Sequence, residues 1–405
     1  MKILFIKQLF YPEPTARSLD FALELKKNGH EVQVLTGFPS YPEGKVYKGY
    51  KQKFFHREQI EGIDVIRVPI FPDQSGRALF RILNYLSYAI SATLLGLPRV
   101  SKPDIVFVYQ GALPVGIPAM IYKLFRRVPY VYDINDIWPD TLTASGMLKN
   151  KVMIGFVRQW CKLTYKMATH ITVLSNGFKD KLISRNVKPE KIDVIYHWSR
   201  DKAIDITGIK ETIKNKFSSD KFHVLYAGNV GGLQSLYIII DAFHELFPEY
   251  PQLQFSILGD GSEKNNLVKY VNDKQIKNVQ FLPRVSSDEV GEYLSCADLL
   301  LVHLKDEPLF RITIPSKIIG YLHASKPILL GIKGDAEQLV TDSKAGFIFE
   351  PDNVEDFKNK LLMAFNTPRT TLEKMGTDGK VYYDKNFTLD KNTTSYIKIF
   401  QKIIN

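Results

Sequence analysis

Tyr226-Ala227-Gly228-Asn229-Val230-Gly231-Gly232-Leu233-Gln234 closes one short apolar run, His223–Ala227, and leads into a longer amphipathic one. Strand, glycine-rich turn and helix is the order this predicts. Glycines in such a turn let a phosphate reach backbone N–H groups at a helix N-terminus. A second turn of this kind, Gly259-Asp260-Gly261, follows another apolar run. A third, Ile312-Thr313-Ile314-Pro315-Ser316-Lys317, leads into a helix at Ile318. There Pro315 precedes the helix start, and Lys317 and the free N–H groups form an anion site. Glycine-rich turns also serve topology alone. Three anion-compatible turns in one region point to a nucleotide diphosphate pocket.

Outward from that stretch the chain alternates β-branched runs with amphipathic ones, which predicts parallel sheets covered by helices. Strands are expected at 2–7, 31–35, 64–68, 104–109, 130–134 and 171–174, and again at 223–227, 254–258, 279–282, 299–303, 328–330 and 347–349. A helix over 18–28 stops on Gly29. The polar stretch 199–219 separates the two series. The expected domains are two Rossmann-like ones, 1–195 and 220–375, joined by a linker (196–219) and followed by a helical segment (376–405) that packs back on the first domain. Ligands belong at the carboxyl ends of the strands, in a cleft between the domains.

Composition narrows the class. With 45% hydrophobic, 12% aromatic and 24% charged residues among 405, the chain buries sizeable cores and is neither disordered nor disulfide-knotted. Cys161 and Cys296 cannot build a disulfide framework or a thiolate cluster, which fits a reducing, cytoplasmic setting. No signal peptide is evident, and prolines break the longest uncharged segments short of a bilayer span. The net charge of +11 is unevenly placed: residues 1–200 hold 29 Lys and Arg against 16 Asp and Glu. That balance suggests a polyanionic partner, and without a nucleic-acid motif an anionic membrane or a phosphorylated substrate is the better fit. Two helices matter here. One, over 77–95, carries a polar line at Arg77, Arg81, Asn84, Ser87 and Ser91; the other, over 150–167, aligns Lys151, Arg158, Lys162 and Lys166. Each reads equally as a membrane-interface helix or an ordinary surface helix.

In the first half, Tyr11-Pro12-Glu13-Pro14-Thr15 leaves the first strand, and Gly37-Phe38-Pro39-Ser40-Tyr41-Pro42-Glu43-Gly44 leaves the second. Flat rings and hydroxyls in the latter suit sugar faces. The strand over 130–134 runs into Asp136-Ile137-Trp138-Pro139-Asp140. Carboxylates there are costly unless a ligand or polar partners need them. Asp136 is the group placed to polarise an acceptor hydroxyl or offset developing positive charge. Its other role would be to cap a helix starting near Pro139.

Taken in order, these motifs resemble family 4 glycosyltransferases of the GT-B fold, closest to the N-acetyl-L-fucosamine transferase-like branch of O-antigen and capsule synthesis. The residues that carry the resemblance are Asn28-Gly29-His30-Glu31-Val32, Pro39–Lys45, Asp136–Asp140, Ala227–Gly231, Ile314–Lys317, Gly320-Tyr321-Leu322 and Lys326-Pro327. The resemblance implies retaining, metal-independent transfer from a UDP-sugar, with no cofactor, to a polyprenyl-diphosphate-linked glycan. The enzyme would be peripheral on the inner face of the cell membrane. Asp136 and Lys317 are the expected catalytic residues. Donor contacts fall to Gly228, Asn229, Gly231, Gly232, Gln234, Gly259, Asp260, Gly261, Arg284, Val285, Pro315, Ser316 and Lys317. Acceptor contacts fall to Glu13, Pro14, Thr15, Tyr41 and Trp138. Where the family often carries two glutamates eight apart, this chain has Ile312 and Gly320, and Gln234 stands where a base is usual. The alternatives are a UDP-sugar 2-epimerase, with His197, His303 or His323 in acid/base roles, and a non-catalytic sugar-nucleotide or glycan-binding protein.

Overall fold

A computed structural model describes every residue except 16, 76, 145, 200–208 and 287–288. The chain divides into two units, Met1–Tyr196 with Leu389–Asn405, and His197–Thr388. The first unit runs β1 (Lys2–Ile6), α1 (Leu19–Lys27), β2 (Glu31–Gly37), β3 (His56–Ile60), β4 (Ile63–Val68), α2 (Ala78–Ser91), β5 (Ile105–Gln110), α3 (Ile117–Arg126), β6 (Tyr130–Ile134), α4 (Asp140–Ala144), α5 (Lys151–Met167), β7 (His170–Val173), α6 (Asn176–Ser184) and β8 (Ile192–Val194). Its eight-stranded sheet has the order β3-β4-β2-β1-β5-β6-β7-β8, and only the β3–β4 pair is antiparallel. β1 and β6 read as continuous apolar runs because helices cover both faces of the sheet. The sequence pattern missed β3 and β8. β3 is a polar edge strand, His-Arg-Glu-Gln-Ile, whose charges suit an exposed edge, and β8 has only three residues.

The second unit runs α7 (Glu211–Lys214), β9 (Phe222–Ala227), α8 (Leu236–Leu246), β10 (Leu253–Leu258), α9 (Lys264–Asp273), β11 (Val279–Leu282), α10 (Val290–Cys296), β12 (Leu299–His303), α11 (Ser316–His323), β13 (Ile328–Gly331), α12 (Asp335–Asp342), β14 (Gly346–Ile348), α13 (Val354–Phe365) and α14 (Arg369–Asn386). Six parallel strands in the order β11-β10-β9-β12-β13-β14 reproduce the Rossmann order 3-2-1-4-5-6. The expected boundaries shift at two places. Of the linker expected at 196–219, residues 200–208 lie outside the described ones. The rest is not free chain: α7 buries Ile213 and belongs to the second unit. The segment expected at 376–405 is also divided. α14 stays with the second unit, and α15 (Leu389–Ile404) belongs to the first. Tyr396 of α15 packs edge-on against Phe21 and Phe107, each with ring centroids 5.2 Å away.

Asn84, Ser87 and Ser91 of the α2 polar line turn inward, while Arg77 at its start stays exposed. Asn84 accepts from Gln8 Nε2 (2.6 Å) and donates to the Phe71 carbonyl (2.6 Å). Ser87 Oγ accepts from Phe71 N (2.8 Å), and Ser91 Oγ donates to the Pro69 carbonyl (2.6 Å). The loop after β4 leaves these backbone groups without sheet partners, and buried polar groups must be paired. The apolar side therefore faces out, with Leu79, Ile82, Leu83 and Ile90 all exposed.

One buried charge ties the first unit together. Asp133, at the carboxyl end of β6, is fully buried and forms an ion pair with the equally buried Arg17. It also accepts hydrogen bonds from Thr172 Oγ1 (2.7 Å) and the Tyr396 hydroxyl (2.7 Å). Arg17 donates in turn to the carbonyls of Ile195 and Tyr196, both at 3.0 Å. Burial alone works against the guanidinium charge, yet Asp133 holds its pKa above the ordinary arginine value. Asp133→Ala leaves that charge uncompensated and is expected to cost about 3–5 kcal/mol of stability. Chemical unfolding measures it, and a loss below about 1 kcal/mol, the range of an exposed pair, would contradict the arrangement.

Candidate active site

In the second unit the strand order reverses between β9 and β12, where a doubly wound sheet binds ligands. The turns after β9 and β10 meet at this end. Gly228 N donates to the Leu258 carbonyl (2.9 Å) and Val230 N to the Asp260 carbonyl (2.8 Å). Gly259 has φ +143°, and a Cβ there would stand 1.9 Å from the Gly228 carbonyl oxygen, so only glycine allows this approach. Gln234 Oε1 accepts from Gly231 N (2.9 Å), so it shapes the turn rather than standing in for a base. Lys264, not foreseen from the sequence, donates to the Gly259 carbonyl (2.6 Å) from the start of α9.

Lys317 lies under the first turn. α11 begins at Ser316 with Pro315 as its N-cap, and this brings the Lys317 ammonium beside Gly228, where a Cβ would sit 3.2 Å from Nζ. Nζ donates to the Tyr226 hydroxyl (2.6 Å) and stands 3.8 Å from the centre of the Tyr226 ring. The Tyr226 hydroxyl donates to the Asn229 carbonyl (2.5 Å), which carries the contact back into the turn. Among the described residues no carboxylate pairs with Lys317, and burial pushes its pKa down to about 7. Gly228, Asn229, Gly231, Gln234, Gly259, Asp260 and Lys317 are thus linked through these contacts, and Gly232, Gly261, Pro315 and Ser316 are their chain neighbours. Arg284 and Val285 follow β11, and no hydrogen bond or ion pair among the described residues ties the exposed Arg284 to the turns.

His303 is not available for acid/base work. It is fully buried; Asp352 N donates to Nε2 (3.1 Å), so Nδ1 carries the proton and donates to the Gln234 carbonyl (2.9 Å). Burial lowers its pKa. His323 packs on the Tyr383 ring at 4.9 Å between centroids. These placements remove two of the three histidines that an epimerase reading would use.

The first unit carries a pocket of about 360 Å³ at its own reversal point, between β1 and β5. Pro14, Thr15 and Tyr41, the residues assigned to acceptor contact, line it together with Lys7, Asp73, Asn84, Tyr85 and Tyr109. Glu13 does not take the expected part of a ligand contact. Its buried carboxylate accepts from the N–H groups of Phe10 (3.0 Å), Ser40 (2.8 Å) and Tyr41 (2.8 Å), and so joins the two loops. Trp138 is half-buried and is not part of the pocket wall. Lys7 is buried over the Tyr109 ring (3.9 Å) and donates to the Arg17 carbonyl (3.1 Å); desolvation brings its pKa to about 7. Asp136 is half-buried, and no hydrogen bond to its carboxylate is formed among the described residues. It therefore does not cap α4. Burial raises its pKa, and its charge bears on the phenols of Tyr85 and Tyr109 in the pocket wall. Asp140 pairs instead with Arg185 and Lys181.

Two family models fit this chain, a glycosyl transferase 4-like domain over residues 14–198 and a glycosyl transferases group 1 domain over residues 209–381. The chain is a glycosyltransferase of the GT-B fold. It is 27% identical over 384 residues to WcaI of Escherichia coli K12, a glycosyl transferase named for colanic acid biosynthesis, covering 91% of this chain and 90% of the relative. It is 24% identical over 398 residues to the alpha-monoglucosyldiacylglycerol synthase of Acholeplasma laidlawii, covering 93% and 91%. Among solved structures, Anabaena HepE in complex with UDP superposes with a TM-score of 0.71 at 15% identity, over 99% of this chain and all of that one. At Gly320 on α11, where the resemblance leads one to expect a glutamate, a Cβ would meet nothing within 4 Å. A longer side chain is therefore sterically possible at that position.

Because a bound diphosphate favours the charged lysine, occupation of the turn should raise the Lys317 pKa from about 7 and draw in a proton. Donor affinity should then fall as pH rises, by up to about tenfold per unit above about pH 7. Calorimetry with UDP-glucose, whose diphosphate keeps its charge in this range, reads both the slope and the proton uptake. Lys317→Met should abolish the slope, and a wild type with pH-independent affinity from about pH 6 to about pH 8.5 would remove Lys317 from the anion site.

Proposed function

We propose that this glycosyltransferase moves a sugar from a UDP-sugar to a polyprenyl-diphosphate-linked glycan in surface polysaccharide synthesis, with retention of configuration and without a metal. N-acetyl-L-fucosamine is the first donor sugar to test. The observation that carries the reading is the Lys317 ammonium, which meets no carboxylate among the described residues, beneath the close-packed turns of Gly228 and Gly259. In transfer, the bond from the anomeric carbon to the β-phosphate oxygen breaks as the acceptor oxygen bonds the same face of that carbon, and the acceptor's hydroxyl proton passes to the leaving diphosphate. Charge then builds on the leaving diphosphate, where a lysine and backbone N–H groups stabilise it.

The first unit supplies the acceptor side of this reading. Tyr41, Tyr85 and Tyr109 offer rings and hydroxyls to a sugar, and the unpartnered Asp136 carboxylate can accept a hydrogen bond from the attacking hydroxyl. A lipid-linked acceptor accords with the outward apolar face of α2. Leu79 is 64% exposed and Ile90 58%. The continuous helical stretch Ala78–Arg99 is long and apolar enough to cross a bilayer by length and composition. Its inward polar line, hydrogen-bonded to the loop after β4, supports a helix that lies on the membrane instead. The relatives support the setting by name, one from polysaccharide biosynthesis and one a synthase of a glycosylated diacylglycerol.

Steady-state kinetics with a UDP-sugar and a lipid-linked acceptor test the division of roles. Asp136→Asn should lower kcat on the order of a hundredfold with the KM for donor within about twofold of wild type. Lys317→Ala should weaken kcat/KM for donor by about tenfold or more. A correctly folded Asp136→Asn enzyme with full turnover would refute the acceptor-side assignment.

A further inference from the structure

A second cavity in the first unit, of about 480 Å³, lies between α5 and the segment after α6 and shares no wall residue with the pocket that holds Lys7. Six cations line it: Arg158, Lys162 and Lys166 from α5, and Arg185, Lys188 and Lys191 from the facing segment. No carboxylate does. Arg185 is held by Asp140 and the Trp138 carbonyl. Lys188 approaches Glu190 only at 3.9 Å, with both side chains exposed. Lys191 donates to the Tyr165 (2.7 Å) and Lys166 (3.1 Å) carbonyls at the end of α5. Arg158, Lys162 and Lys166 form no ion pair among the described residues. So many positive charges around one hollow repel one another unless an anion enters. Lys191 registers that environment: burial, with Lys123 and Lys188 nearby, lowers its pKa to about 8.

The same helix shows what brings the anion. α5 buries Val157, Cys161, Thr164 and Tyr165 on one face, and the basic line borders that face. Beyond it Val152 (80% exposed), Phe156 (60%) and Leu163 (50%) form an outward apolar line. An exposed apolar line beside a basic one is the pattern of a helix resting in a membrane interface. At the start of α2, the Arg81 guanidinium lies 2.6 Å from the sulfur of Met147, just ahead of α5, so the two exposed apolar helices are joined through this contact. We propose that the cavity between α5 and the segment after α6 receives the phosphate group of an anionic bilayer lipid. The proposal rests on the membrane reading above. A phosphate suits the set because arginine and several lysines together can surround its oxygens, and the apolar line places the source of that phosphate in the bilayer.

The test is co-sedimentation with phosphatidylcholine vesicles and with vesicles containing phosphatidic acid. Lys162→Gln/Lys166→Gln/Lys188→Gln is compared with a charge-matched control, Lys48→Gln/Lys51→Gln/Lys53→Gln, whose lysines do not line the cavity. The cavity variant should lose at least about tenfold in affinity for the acidic vesicles and the control less than about threefold, with equal unfolding midpoints. Equal losses in both variants would overturn the proposal in favour of diffuse attraction and leave the membrane reading standing. A wild type that ignores both kinds of vesicle would overturn the proposal and that reading together. If such a protein bound inorganic pyrophosphate and the cavity variant did not, the cavity would serve a soluble anion instead.

Discussion

The first unit depends on keeping Asp133 charged where no water reaches it. A carboxylate in that position is tolerable only with a full set of partners. Arg17, Thr172 and Tyr396 provide them from the β1–α1 loop, from β7 and from the C-terminal helix. Through Arg17 the same interaction fixes the chain at Ile195 and Tyr196, and the Arg17 carbonyl positions Lys7. The wall of the first unit's pocket is therefore set by a buried ion pair three residues before Asp136. This explains why α15 returns to the first unit: without the Tyr396 hydroxyl, Asp133 would lose one of its hydrogen bonds.

The second unit solves a different problem with almost no charge. Two glycine turns pack backbone against backbone, Lys264 donates to the second of them, and Lys317 stands below the first with a phenol as its neighbour. A lysine so placed is easily neutralised when the site is empty, and an entering diphosphate favours its charged form. Low intrinsic charge and strong response to an anion follow from the same burial.

Much of this was legible in the sequence, because parallel strands buried on both faces announce themselves as apolar runs and glycine turns mark their carboxyl ends. β6, β11 and β12 fall where the runs fall. Polar segments were less legible. β3 hides among charged residues, and α7 rests on one buried isoleucine. Long-range partners were not legible at all. Nothing local marks Glu13 as the receiver of three N–H groups, or Arg17 as the partner of a residue 116 positions away. The inversion of α2 has the same cause. Its spacing shows a polar line, and only the carbonyls of Pro69 and Phe71, which accept from Ser91 and Asn84, show that this part of the line faces inward.

The proposal of a lipid-borne acceptor draws on the half-buried Lys317, on an Asp136 carboxylate without a hydrogen-bond partner among the described residues, and on the outward apolar helices. The most direct measurement is mass spectrometry of the lipid fraction after incubation of the enzyme, in anionic vesicles carrying a polyprenyl-diphosphate-linked glycan, with a panel of UDP-sugars. With one of the donors, the lipid should gain the mass of a single sugar residue and one equivalent of UDP should be released. An unchanged lipid fraction with every donor, accompanied by an epimerised nucleotide sugar or by binding alone, would contradict the account.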